Sequence, residues 1–171
     1  TTINIDTNCS LYKTGSLTNN QTREKQYFEG IQKLFELNKN NNFDIYLSDN
    51  SDYFNQESEL KSYLNANNIT IIKDVPNIFG KINKGSGLIE NWLHNKDVLN
   101  KYDYIIHFEP RQLLQSNQFI DSFLANPRTI FSLQTKPGHI AHNKHFYTGF
   151  FIIKTNELLE FIKFYTPEKL I

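Results

Sequence analysis

Two short stretches hold most of the groups in this chain that are equipped for chemistry. Lys84-Gly85-Ser86-Gly87 sets a lysine beside two glycines at the start of an expected helix. His107-Phe108-Glu109-Pro110-Arg111 places an imidazole, a carboxylate and a guanidinium at the end of an apolar run. A guanidinium grips phosphate bidentately, a carboxylate holds a hard cation, and a helix N-terminus attracts anions through its unpaired N–H groups. Together these types point to a phosphorylated ligand. Each has a plainer reading beside it. Gly85 and Gly87 would be turn glycines with Ser86 as N-cap, and Glu109 and Arg111 would be a surface ion pair where a strand ends.

The elements that must hold these groups read as strands alternating with helices. Ile3 and Ile5 open a first strand ending near Asn8-Cys9, and a polar loop runs from Ser10 to Asn20. Tyr27, Ile31, Leu34 and Phe35 share a helical face that Asn38 to Asn42 terminate. Phe43 to Leu47 is a strand closing in the polar loop Ser48-Asp49-Asn50-Ser51-Asp52. Leu60, Tyr63 and Leu64 mark a second helix, and Ile69 to Ile72 is a β-branched strand. After the glycine turn and its helix, with Trp92 read as core, come strands at Tyr104 to Phe108, Thr129 to Leu133 and Phe150 to Ile153. Leu158, Leu159, Ile162 and Tyr165 form a closing helix. The alternation predicts one α/β domain over residues 1–171, with a mostly parallel sheet and helices on both faces. Parallel strands would bring Cys9, Asp49, Asn50, His107, Glu109 and Arg111 to one sheet edge beside the Gly85 turn, where open α/β sheets bind ligands.

Composition narrows the classes. A chain of 171 residues with 14 Phe and 9 Tyr can bury one aromatic-rich core. Eighteen basic residues balance eighteen acidic ones, which argues against nonspecific nucleic-acid binding and its basic footprint. The single cysteine, Cys9, excludes an intrachain disulfide, has no activating neighbour in sequence, and fits a reducing, cytoplasmic setting. No apolar run approaches the roughly 20 residues of a membrane span, and the first residues lack the pattern of a signal peptide. Gln134 to Tyr147 reads as a polar loop in which His139, His142 and His145 match no zinc spacing.

The order of these pieces resembles a GT-A type glycosyltransferase, the nucleotide-diphospho-sugar transferase fold. Phe43 to Ser51 is similar to that fold's second strand and its Asp-containing loop. Asn83-Lys84-Gly85 through Asn91 resembles the Asn-x-Gly-x-x-x-x-x-Asn segment of family-2 members. Tyr102 to Glu109 stands where those enzymes carry a hydrophobic strand ending in Asp-x-Asp, and His145 to Asn156 looks like a Phe-Asn-Ser-Gly strand followed by Lys-Thr-Asn. The likeness is nearest to capsular-polysaccharide and viral transferases. It implies transfer of a sugar from a nucleotide-activated donor to a glycan or other hydroxyl acceptor. It further implies that Cys9, Asp49, Asn50, Lys84, Gly85, Gly87 and His107 bind the nucleotide sugar, and that His145, Thr148 and Gly149 lie on the acceptor side. Glu109 would hold Mn²⁺ or Mg²⁺, or the ribose, and Arg111 would stabilise the departing phosphate.

The chain also departs from that pattern. His107-Phe108-Glu109 stands in place of Asp-x-Asp, and imidazole suits Mn²⁺ better than Mg²⁺. Arg111 offers a metal-free clamp on phosphate instead. An inverting transferase needs a carboxylate base, and the last third offers only Asp121, Glu157, Glu160 and Glu168. Two alternatives therefore stand: a non-catalytic relative binding nucleotide or glycan, and a nucleotidyltransferase or phosphate-ester hydrolase. The second needs a two-metal carboxylate cluster from Asp44, Asp49, Asp103 and Glu109, and Asp103 precedes its strand.

Overall fold

The computed structural model of the chain describes residues 2–4, 20–134 and 145–170. Residues 2–4 form no strand, and Cys9, His139, His142, the rest of the expected first strand and most of the segment from Ser10 to Asn20 lie outside the described residues. Helix α1 spans Asn20–Asn38, burying Tyr27 and Ile31, and it stops where the Asn38 amide turns back to donate to the Leu34 carbonyl at 2.9 Å. Strand β1, Tyr46–Ser48, is shorter than the expected strand. Helix α2, Glu59–Ala66, is capped by Ser58, whose hydroxyl accepts the Lys61 N–H at 3.1 Å. It closes on Asn68 at φ 56°. The Ile69 N–H reaches the Leu64 carbonyl at 2.9 Å and the Asn68 N–H reaches Asn65 at 3.2 Å, a left-handed stop that feeds β2 at Thr70–Ile72.

Helices α3, Lys84–His94, and α4, Lys96–Leu99, lead into β3 at Tyr104–Phe108. Helix α5, Gln118–Ala125, strands β4 at Ile130–Gln134 and β5 at His145–Lys154, and helices α6 at Thr155–Lys163 and α7 at Pro167–Leu170 complete the described chain. Sequence reading passed over α5, although Phe119, Ile120 and Phe123 are spaced for one helical face.

The chain is a mixed α/β protein, but the mostly parallel sheet is corrected. Among the described residues, β1 and β2 form a parallel pair, Tyr46 opposite Thr70 through Ser48 opposite Ile72. The other three strands form a separate antiparallel sheet in the order β3-β5-β4. The cause lies in β5. It starts at His145 rather than Phe150, so only residues 135–144 separate it from β4. A parallel return needs a crossover of about a dozen residues or more, so β5 runs back beside β4 instead.

Helices cover both faces of the antiparallel sheet, as alternation along β5 requires. Phe151 and Ile153 pack with Leu158 and Ile162 of α6 and with Ile89 and Trp92 of α3. Phe150 packs on the opposite face with Ile120 of α5 and Leu114. A further core joins α1 to the parallel pair through Tyr27, Ile31, Leu47, Leu60 and Leu64. Ile3 is fully buried in it. Among the described residues, no helix is long and apolar enough to cross a membrane.

Candidate functional site

Among the described residues no strand ladder joins the parallel pair to the antiparallel sheet, and a cavity of about 690 Å³ opens between β1 and β3. That volume lies within the range of small-molecule and cofactor sites. The two strands run the same way. Tyr46, which opens β1, and Tyr102, just before β3, bring their hydroxyls to 2.7 Å, while Tyr102 also donates to Asp44 at 2.8 Å. At the other ends, Ile3 donates its N–H to Asp49 at 3.1 Å, and Arg23 donates to the Thr2 and Ile3 carbonyls and to the Tyr27 hydroxyl. Tyr27 in turn meets Arg111 beyond β3. The carboxyl ends of β1 and β3 therefore share one rim of the cavity.

Glu109 and Arg111 occupy that rim because of the turn that carries them. The Glu109 N–H continues the ladder to the Gly149 carbonyl at 2.7 Å, and Gln112 closes a turn onto Glu109 at 3.1 Å. Helix α1 lies hard against this turn: a Cβ on Gly30 would come 1.6 Å from the Pro110 carbonyl oxygen. Gly149 is equally confined, since a Cβ there would stand 2.3 Å from the Gln112 amide. Arg111 donates through Nε and Nη2 to one oxygen of Glu109, the former at 3.0 Å, and Gln112 reaches the other oxygen at 3.4 Å. Burial opposes the Arg111 charge, but the Glu109 carboxylate and the Tyr27 hydroxyl hold its pKa above the ordinary arginine value. Burial also raises the Tyr27 hydroxyl, against the pull of Arg23 and Arg111.

Asp49, only 1 % exposed, is engaged in its own loop. It accepts the N–H groups of Ile3 and Ser51 and the Ser51 hydroxyl. Its neighbour Asn50 lines the cavity and accepts from the Thr2 hydroxyl at 2.5 Å. The glycine turn is the first turn of α3 itself. Its cap is Asn83, whose side chain accepts the Gly85 N–H at 2.9 Å, rather than Ser86. Gly87 has a packing reason of its own, because a Cβ would lie 2.7 Å from the Cα of Gly80. Glu90, one turn further along α3, is buried and accepts the N–H groups of Ile78 and Phe79 at 3.0 Å each and of Gly80 at 3.5 Å. It thereby fixes the loop before α3. At the C-terminal cap of α3 the Asn95 amide bridges Asn91 and the Ser48 hydroxyl, while the buried Nδ2 of Asn91, a cavity-lining residue, has no partner among the described residues.

His107 lines the cavity between two rings, stacked on Phe151 at 4.8 Å and edge-on to Trp92 at 5.6 Å. Burial lowers its pKa to about 4, with the Glu109 charge pulling weakly the other way. A neutral imidazole is thus presented at ordinary pH.

Of the groups expected from sequence, Asn50, Gly85, Gly87, His107, Glu109, Arg111 and Thr148 all line this one cavity. Asp49 lies behind its wall, and Gly149 supports the Glu109 turn. The side chains of Lys84 and His145 lie outside the described residues, as does Cys9. Arg23, Glu90 and Asn95 were missed because periodicity assigns such polar side chains to solvent, and Tyr27 because periodicity assigns it to the core face of its helix. Among the described residues no three His, Cys, Asp or Glu side chains converge as a metal cage. A single carboxylate at Glu109 does suit a cation that arrives with a diphosphate, since Mg²⁺ is commonly held by one or two carboxylates plus substrate phosphates. No family model, curated protein or solved structure matches the chain.

Proposed function

We propose that this protein is a GT-A-like glycosyltransferase that moves a sugar from a nucleotide-activated donor to a hydroxyl acceptor, with the donor in the cavity between β1 and β3. The observation that carries the reading is the rim. Arg111 and Glu109 sit at the carboxyl end of β3, on the same side as the loop after β1, beside a cavity large enough for a nucleotide sugar. In this reading the Asp49-Asn50 loop faces the base and ribose, and the first turn of α3 with Lys84 and Gly85 approaches the diphosphate. Arg111 exchanges its contact with Glu109 for the phosphate oxygens. It then stabilises the charge that builds on the leaving diphosphate as the glycosidic bond breaks. Glu109, once released, binds the ribose or a divalent cation; Mn²⁺ or Mg²⁺ there would neutralise the diphosphate. Thr148 and Gly149, with His145, mark the acceptor side.

A second reading keeps the fold and the ligand without turnover. It is favoured by the acid count, because among the described residues Asp44 and Glu109 are the acidic groups lining the cavity, and Glu109 is held by Arg111. Asp44 accepts from Tyr102, so neither of these two carboxylates stands free as a base. A thermal-shift screen against UDP-, GDP-, CMP- and dTDP-sugars, with and without Mn²⁺, tests both. A rise with one nucleotide class, abolished in Arg111→Ala, supports donor binding, and release of nucleoside diphosphate on adding a glycan acceptor supports turnover. No shift with any donor removes the transferase reading.

A further inference from the structure

Arg111 turns two of its N–H groups, at Nε and Nη2, onto a single oxygen of Glu109. Two parallel N–H groups are what a bidentate grip on phosphate requires, and here an internal anion already holds them. The carboxylate is steadied on its second oxygen, which the Gln112 amide reaches at 3.4 Å. Gln112 is itself confined beside Gly149, where a Cβ would stand 2.3 Å from the amide nitrogen. Arg111 also meets the hydroxyl of Tyr27, a buried residue of α1. Glu109, Arg111 and Tyr27 all line the cavity. The backbone between Glu109 and Gln112 has little room to shift, because Gly30 of α1 lies against the Pro110 carbonyl. Any exchange of partners at Arg111 therefore falls to side chains.

Resting on the donor reading above, we propose that Glu109 is an internal competitor for the phosphate seat on Arg111. Without a donor, the carboxylate fills that seat. Donor phosphate enters by displacing it, while Tyr27 keeps the guanidinium at the rim and Gln112 retains the freed carboxylate. Each side chain of the pair is 34 % exposed, so the contact adds little to folding and its effect falls on ligand affinity. Removing the competitor tightens phosphate binding, whereas removing a carboxylate that holds the ligand would weaken it. The gain expected from releasing a partly exposed ion pair is about three- to fivefold.

The test is calorimetric titration of UDP, GDP, CMP and dTDP, with EDTA present so that no cation engages Glu109. Four proteins are compared: wild type, Glu109→Gln, Arg111→Ala and the double variant. For the nucleotide that binds, Glu109→Gln should bind about three- to fivefold tighter than wild type. The double variant should bind no tighter than Arg111→Ala, because the competitor acts only through Arg111. Glu109→Ala should reproduce the gain, and thermal melting of each variant confirms folding. Equal or weaker binding in both Glu109 variants overturns the inference and leaves the donor reading in place. A gain that persists without Arg111 also overturns it, since Glu109 would then act as a general repulsive charge. If none of the proteins binds any nucleotide, the donor reading falls and the inference falls with it.

Discussion

Replacing His107 with phenylalanine should flatten the acid limb of the stability curve. The imidazole lies between Phe151 and Trp92 and titrates at about 4 in the folded protein, against an ordinary value near 6.5. As pH falls, the unfolded chain takes up the proton first. The contribution of the neutral ring is therefore complete above pH 6.5 and is lost progressively toward pH 4. At about 1.4 kcal/mol per pH unit the full span amounts to about 3 kcal/mol, an upper figure because the ring is also reached from the cavity. Phenylalanine keeps the stacked aromatic but carries no proton. Urea unfolding followed by circular dichroism across this pH range should show wild type losing stability on acidification, with the variant losing up to about 3 kcal/mol less. The carboxylates common to both proteins cancel in that difference. Equal slopes would mean that His107 titrates as a solvated histidine, and the half-buried, neutral imidazole at the cavity wall would have to be given up.

Alanine at Gly30 should cost about 2–4 kcal/mol, the reverse of the usual gain from glycine to alanine inside a helix, because its Cβ would overlap the Pro110 carbonyl. Chemical denaturation reads the loss, and donor binding should fall with it because the Arg111 turn must shift. Replacing Glu90 with glutamine leaves a donor amide facing three N–H groups; a loss of about 2 kcal/mol is expected, together with faster amide hydrogen exchange at Ile78 to Gly80.

Local structure was legible where side-chain period and capping agree. The α2 region reads directly from Leu60, Tyr63 and Leu64, and β3 from its run of apolar residues before Glu109. Pairing was less legible. Alternating elements imply parallel strands only when crossovers are long, and the true start of β5 at His145 was hidden in a polar, histidine-rich stretch. At the site, Glu109 and Arg111 were visible as charges stranded after an apolar strand. Their neighbours Tyr27 and Arg23 were not, because they come from a helix some eighty residues away and look in sequence like an ordinary amphipathic face. Gly87 and Gly30 show the same limit: each is glycine because of a backbone it meets only in the fold.

The most direct test of the account is calorimetric titration of UDP, GDP, CMP and dTDP into the purified protein and into Arg111→Ala. The Glu109–Arg111 pair is partly exposed, so its loss should change stability by less than about 1 kcal/mol and leave the fold intact. The account predicts that one nucleotide binds, that its sugar conjugate competes for the same site, and that the variant weakens binding at least tenfold. Absence of heat with all four, or equal affinity in wild type and variant, would contradict the placement of a nucleotide-sugar donor at the end of β3.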